Sequence, residues 1–176
     1  MRSTRPDVAR LCPFNNDSRP PMTGDYRILK SHNLAYFYLT GAIEMTDCFN
    51  LMTQFYVDPE AHPDQRHFFD LSQATAVNAD FAALMQLVMQ LKQASRYLRS
   101  DTLCAFYVPD AALRPVVRTY QSLAEEFTTV ETKVFSQSAP ALRFVEVEAP
   151  LAEVFALTGF DGGAARAQNT RCTPPE

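Results

Sequence analysis

The segment that decides the fold spans residues 67–91 and reads HFFDLSQATAVNADFAALMQLVMQL. It opens on an apolar run, His67–Leu71, which predicts a buried strand. A polar stretch follows, and Asn78 is a residue type that caps helices, so a helix is predicted from there to about Tyr97. Its apolar residues recur at the spacing of one helical face, and they are Phe81, Leu84, Met85, Val88 and Leu91. The segment is therefore a strand–loop–helix unit, which is the building block of a mostly parallel sheet.

Upstream of this unit, the sequence predicts two strands and a helix. Tyr26–Lys30 is a short strand, and Leu34–Thr40 is apolar on both faces, as is typical of a central strand. Ser31–Asn33 forms the turn between them, since Asn tolerates left-handed backbone angles. Gly41 is predicted to end the second strand, and Thr46 to cap a helix that runs to about Tyr56 with Phe49 and Met52 on its apolar stripe.

Downstream, strands and helices continue to alternate. Thr102–Val108 is predicted as a strand, Ala111–Phe127 as a helix, and Val130–Phe135 as a strand near the edge of the sheet. Ser138 is predicted to cap a further helix, which Pro150 interrupts. Leu151–Leu157 is predicted to form one or two more helical turns after it.

This order predicts an α/β fold with a mixed, mostly parallel sheet of about five strands and four helices. The opening pair of strands is expected to be antiparallel, because only three residues join them. Proline, glycine and polar residues dominate both ends of the chain. We therefore expect residues 1–24 to be a flexible arm, 25–147 to be the domain, and 148–176 to be a largely flexible extension.

Composition excludes several classes of function. The net charge of -4 and the pI near 5.4 argue against nucleic acid as a partner. No apolar run reaches the length that a membrane helix needs, and the N-terminus lacks the apolar run of a secretory signal, so no membrane insertion is expected. Four scattered cysteines without a C-x-x-C pair indicate reduced thiols in a cytoplasmic protein. These are Cys12, Cys48, Cys104 and Cys172.

The chain contains no recognisable catalytic, metal-binding or cofactor-binding motif. Neither a G-x-S-x-G element nor a glycine-rich phosphate loop is present, and the whole sequence has five glycines. The three histidines form no helical pair of metal ligands. We therefore predict no catalytic residue, no metal and no cofactor.

One stretch carries a resemblance to a known family. Asp70–Thr75 reads DLSQAT and looks like the segment that precedes the phosphorylation loop of anti-sigma-factor antagonists. With Gly41, the helix from Phe81 and the order of elements, the chain from Tyr26 to Val147 resembles the STAS superfamily, and more closely its SpoIIAA-like proteins. The resemblance implies a non-enzymatic regulatory module of bacterial signalling that binds a protein partner.

The chain departs from that family at the modified residue. Alignment on the DLS segment places Ala79 where the family has its phosphorylated serine, and alanine has no hydroxyl. The neighbouring Asp80 is a fixed negative charge in the first helical turn, where the helix dipole favours an anion. It either imitates a phosphorylated surface or serves as an ordinary charge at a helix start.

The resemblance places the interaction surface around the loop and the helix that follows the central strand. Its candidate residues are Asp70, Ser72, Thr75, Asn78, Ala79, Asp80 and Ala83. At the strand end, Ser72 is either an exposed hydroxyl open to phosphorylation or a turn residue bonded to nearby backbone.

Two alternatives to a protein-interaction module stay open. The thirteen Phe, seven Tyr and six Met can line an apolar pocket for a small ligand, or simply form the core. The second alternative is a homo-oligomeric scaffold such as a homodimer, whose copies would pair through the edge strand Val130–Val134.

Overall fold

The computed structural model describes residues 23–94 and 101–160, which form a five-stranded sheet with the order β1-β2-β3-β4-β5. The strands are β1 (Gly24–Leu29), β2 (Leu34–Glu44), β3 (Arg66–Asn78), β4 (Leu103–Tyr107) and β5 (Glu131–Phe135). The helices are α1 (Met45–Val57), α2 (Phe81–Ala94), α3 (Arg114–Phe127), α4 (Ser138–Phe144) and α5 (Leu151–Thr158).

The mixed, mostly parallel sheet predicted from the sequence is confirmed. β1 and β2 are antiparallel, and the three other pairs of neighbouring strands are parallel. A single 3-10 turn, Lys30–His32, joins β1 to β2 and ends at Asn33, whose φ of 48° is left-handed. The Asn33 N–H donates to the Lys30 carbonyl at 3.2 Å, so the turn closes where an Asn was expected.

Three phenylalanines form a ladder across the middle of the sheet. Phe37, Phe69 and Phe106 are register neighbours on β2, β3 and β4. Their ring centroids are 4.3 Å and 4.5 Å apart, and the rings are within 8° of parallel. The ladder is buried against α1, α2 and α3, whose apolar side chains share its core cluster. It fixes the register of the three central strands, because any slip would separate the rings.

A second core covers the other face of the sheet. Tyr36 and Phe68 stack there with centroids 5.2 Å apart and pack with residues of α4 and α5. Val154 of α5 is fully buried in this cluster. The domain therefore has three layers and extends at least to Thr158, whereas residues 148–176 were predicted as a largely flexible extension. The predicted arm 1–24 lies outside the described residues except for Thr23 and Gly24, and Gly24 begins β1.

Strands β2 and β3 are longer than predicted. Gly41 was expected to end β2, but it lies inside the strand with φ +68°, next to a shift in register with β3. Glycine adopts this angle without strain, so it allows a bulge within the strand. The pairing of β3 with β4 ends at Asp70 and Tyr107, and beyond Asp70 β3 pairs only with β2. We call residues 40–44 and 73–78, which pair there, the ribbon.

The helix starts also differ from the predictions. Thr46 does not cap α1, which begins at Met45 with Glu44 in the cap position. Ser138 is the first residue of α4, and Gln137 precedes it as the cap. The described residues contain five helices instead of four, because Leu151–Thr158 forms a complete helix after Pro150. Residues 95–97, the end of the helix predicted to Tyr97, lie outside the described residues.

Removal of the central ring of the ladder should destabilise the domain strongly. We expect Phe69→Ala to lower the free energy of unfolding by about 3–5 kcal/mol, because it removes buried contacts on two strands and leaves a cavity. Urea denaturation followed by circular dichroism measures this. Phe81→Ala, at a position that is 61% exposed, serves as the control and should change the free energy by no more than about 0.5 kcal/mol. Equal losses in the two variants would contradict a central role for the ladder.

Candidate functional site

The residues predicted for one surface lie in two different places. Because β3 continues to Asn78, Asp70 lies in the middle of the strand and only 2% of it is exposed. It shares the face of Phe68, which is covered by α4 and α5, since side chains alternate along a strand. The prediction of Asp70 at a strand end on the interaction surface is therefore wrong.

The Asp70 carboxylate is held by two neutral donors. The Tyr36 hydroxyl donates to Oδ2 at 2.5 Å, and the Ser72 backbone N–H donates to Oδ1 at 2.8 Å. Tyr38 and Tyr107 are the register neighbours of Asp70 on β2 and β4. Ser72 itself is half-buried, and its N–H contact orients the carboxylate.

The tyrosines around Asp70 remain protonated at neutral pH. Burial raises the pKa of Tyr36 far above its ordinary value, and the neighbouring Asp70 carboxylate raises it further. Burial, followed by the charge of Asp70, also raises the pKa of Tyr38 and of Tyr107. These side chains are therefore neutral hydroxyls rather than bases, and that of Tyr36 donates to Asp70. The alternation of Tyr36 and Tyr38 along β2 was the sequence signal that could have placed them beside Asp70.

Removal of the Tyr36 hydroxyl should destabilise the domain, because Asp70 loses one of its two hydrogen-bond donors. We expect Tyr36→Phe to lower the free energy of unfolding by about 1.5–3 kcal/mol, the range for hydrogen bonds to charged groups, because the buried carboxylate keeps only the Ser72 N–H. Urea denaturation at neutral pH measures the loss. In the double variant Tyr36→Phe/Asp70→Asn the two changes should cost less than their sum, and strict additivity would contradict the coupling.

The point where the ribbon turns into α2 contains Asn78, Ala79, Asp80 and Ala83. Asn78 does not cap the helix, because its Nδ2 donates to Glu44 Oε1 across the ribbon at 2.5 Å. Asp80 is the cap, since its Oδ1 accepts the Ala83 backbone N–H at 2.8 Å. Ala79, which the resemblance in sequence aligned with a phosphorylated serine, is half-buried and packs against the core. Asp80 therefore has a structural role as well as an exposed charge.

Phe81 is the residue of this region that the sequence interpretation misplaced. It was expected on the buried stripe of α2, yet it is 61% exposed, and Leu84, Val88 and Leu91 form the buried face. The first residue of a helix lies at the margin of the packed face, so spacing alone cannot decide its burial. We call the exposed group Thr75, Asn78, Asp80 and Phe81 the ribbon corner.

An apolar cavity of about 70 Å³ lies behind the ribbon corner, between the sheet and helices α1, α2 and α3. Its walls include Ile43 and Val77 from the ribbon and Leu84 from α2. Such a cavity near the ends of the strands is the feature that the apolar-ligand alternative requires.

The edge strands carry charged pairs. On β5, the strand predicted as an edge, Lys133 lies 2.6 Å from Glu131, and on β1 Arg27 lies 3.0 Å from Asp25. Charged side chains on an edge oppose pairing with another sheet. The structure thus confirms β5 as an edge strand, while the possible homodimer stays a prediction.

The described residues contain no group of three or more His, Cys, Asp or Glu side chains placed to hold a metal ion. Cys48 and Cys104 are both free thiols. Across residues 23–94 and 101–160, no helix has the length and apolar character to cross a membrane.

His67 is a buried base that packs edge-on against aromatic rings. Its ring centroid lies 5.7 Å from that of Phe37 and 5.2 Å from that of Phe55, and its Nε2 has no hydrogen-bond partner among the described residues. Burial lowers the pKa of His67 to about 4, so the imidazole is neutral in the folded protein near pH 7.

This depressed pKa predicts acid sensitivity. Between pH 6.5 and about 4 the unfolded chain binds a proton at His67 that the folded chain does not, so the free energy of unfolding falls as the pH falls through this window. We expect a loss of about 3 kcal/mol from this residue, complete below pH 4. Urea denaturation at a series of pH values measures it. His67→Phe should remove this part of the dependence, and an unchanged profile would contradict it.

Strand order and helix layers define the class of the protein: an α/β domain with a mixed, mostly parallel five-stranded sheet between two helical layers. No protein-family model matches the chain, and no curated protein sequence matches it significantly.

A solved structure with a similar fold is that of a protein from Shewanella loihica PV-4, described as uncharacterized, from the DUF3478 family and with a SpoIIAA-like fold. It shares 14% sequence identity with this chain, and the match covers 73% of this chain and 98% of that one with a TM-score of 0.48.

Proposed function

We propose that this chain is a non-enzymatic, cytoplasmic protein-interaction module of bacterial signalling, and that it binds its partner through the ribbon corner. The observation that carries the proposal is the exposed Phe81 at the start of α2. Solvent-exposed aromatic side chains are a cost to a free protein and are enriched among the residues that dominate binding energy.

The ribbon corner combines an apolar anchor with a fixed negative charge. Asp80 precedes Phe81 directly and is exposed, although one carboxylate oxygen accepts the Ala83 N–H. Thr75 and Asn78 are exposed polar side chains on the ribbon that leads to them. A partner of matching chemistry offers a hydrophobic pocket for the ring and a basic or hydrogen-bond-donating group for the carboxylate.

Ala79 supports constitutive recognition rather than a phosphorylation switch at this position. A side chain without a hydroxyl accepts no phosphate, and Ala79 packs against the core. The charge that a partner meets at this corner is therefore the permanent one of Asp80, which does not depend on a kinase.

The proposal is tested by affinity purification of the tagged full-length chain from its own cells, followed by direct binding of the purified partner. We expect Phe81→Ser to weaken the complex by at least about tenfold, since truncation of a central aromatic anchor costs about 2 kcal/mol or more. Asp80→Asn removes the charge and keeps a capping side chain, so it should weaken binding mainly by slowing association.

Leu157→Ser is the matched control, because Leu157 is also an exposed apolar residue, at 52%, but lies on α5 behind the opposite face of the sheet. It should leave the complex intact. A partner that binds wild type, Phe81→Ser and Leu157→Ser equally would overturn the ribbon corner as its site. Recovery of the chain alone, with a dimer in sedimentation, would favour the homo-oligomeric scaffold.

A further inference from the structure

Strand β3 has an open inner edge along the ribbon. Its pairing with β4 ends at Asp70, yet the strand continues to Asn78, so residues 71–78 have a neighbouring strand on the β2 side alone. Within residues 23–94 and 101–160, no backbone–backbone hydrogen bond of a turn or loop involves this stretch. Unpaired N–H and C=O groups on the edge of a strand are the groups with which another extended chain pairs.

The backbone polar groups of Val77 point toward this open edge. The Arg66 N–H donates to the Asn33 carbonyl at 3.0 Å, so Arg66 faces β2 and, by alternation along the strand, Phe69 faces β4. Phe69 and Val77 both direct their side chains toward α1, α2 and α3, where they line the same cavity. Within one strand of L-residues, the face of the side chain fixes the direction of the N–H and the C=O. Val77 therefore presents both groups to the edge that β4 leaves uncovered.

This inner edge lacks the charges that protect the outer edges of the sheet. Arg27 and Asp25 form a pair on β1, as do Lys133 and Glu131 on β5, and such charges oppose pairing with another strand. Residues 71–79 read LSQATAVNA and contain neither a charged residue nor a proline. Two shifts in register between β2 and β3 bend the ribbon, so the regular run open to a guest is short. The edge therefore suits an extended segment of about three to five residues.

The charges around the ribbon are predominantly negative. The sequence has no lysine or arginine from residue 31 to 65 or from 67 to 91, and these stretches contain the ribbon, α1 and most of α2. Glu44 and Asp80 are exposed at the outer end of the ribbon, and Asp110 is exposed three residues past the end of β4. Arg114, at the start of α3, is half-buried. A surface of this kind attracts a basic partner.

We propose that the binding segment of the partner is an extended, basic peptide that adds to β3 beside Val77. A carbonyl of the peptide accepts the Val77 N–H, an N–H of the peptide donates to the Val77 carbonyl, and its basic side chains interact with Asp80 and Asp110. This inference rests on the proposed function, because it names the chemistry of the partner that the ribbon corner recognises. A second copy of this chain is the poorer occupant, since two ribbons would bring like charges together.

The first test uses the wild-type full-length chain and follows its backbone amides by NMR. In the free chain we expect the Val77 N–H to exchange with solvent much faster than the Ala76 N–H, which points toward β2. The probe is the acetylated and amidated peptide Lys-Val-Lys-Val-Lys, and Glu-Val-Glu-Val-Glu is its matched control. The basic peptide should slow the exchange of Val77 and bind at least about tenfold more tightly than the acidic peptide, because of the carboxylates beside the edge.

The second test uses two variants of one residue. Val77→Pro removes the N–H at the open edge and leaves the pairing with β2 in place, since proline is tolerated where the strand N–H faces outward. It should weaken binding of the basic peptide by at least about tenfold. Val77→Ala is the matched control, because it also shortens the side chain but keeps the N–H, and it should bind as wild type does. If Val77→Pro does not fold, the amide exchange of the wild-type chain decides.

Several results would contradict the inference: a Val77 amide protected in the free chain, equal affinity for the two peptides, or equal binding by folded Val77→Pro and Val77→Ala. A dimer in sedimentation that Val77→Pro dissociates would replace the peptide with a second copy. A partner protein that Phe81→Ser loses and Val77→Pro retains would leave the proposed function standing and overturn strand addition. Recovery of no partner would count against the proposed function, whereas the peptide titration would still report on the edge.

Discussion

The structure depends on the register of β2, β3 and β4, which the stacked rings of Phe37, Phe69 and Phe106 hold in place. Side chains alternate along a strand, so this register also decides what faces the opposite way. Asp70 follows Phe69 and is therefore carried to the α4–α5 face, beside Tyr36. A slip of one residue would turn the carboxylate toward the phenylalanines and away from the Tyr36 hydroxyl.

The cores on the two faces of the sheet differ in polarity and in packing. On the α4–α5 face, the buried Asp70 carboxylate is satisfied by hydrogen bonds from the Tyr36 hydroxyl and the Ser72 N–H. On the face covered by α1, α2 and α3, an apolar cavity lies next to the ladder of phenylalanine rings. Satisfied polar groups specify one arrangement of a core, whereas unfilled apolar space removes packing contacts from the side chains that line it.

Gly41 links this core to the exposed surface. Its left-handed angle allows β2 to continue through a bulge, and the continued strand supports β3 as far as Asn78. The ribbon so formed carries Ile43 and Val77 into the wall of the cavity and places Asp80 and Phe81 at its outer end. The resemblance to anti-sigma-factor antagonists predicted an interaction surface in this region, and the structure exposes the aromatic ring of Phe81 there.

The sequence by itself determined the order of the elements, the antiparallel opening pair, the edge position of β5 and the parallel sheet, because these follow from local periodicity and short connections. It also pointed to the segment from Asp70 to Ala83. Only the tertiary structure decided that Asp70 is buried, that Asp80 rather than Asn78 caps α2, and that Phe81 is exposed. Local patterns predict which residues share a face, but burial depends on which other element covers that face, and this is set by contacts between residues far apart in the chain.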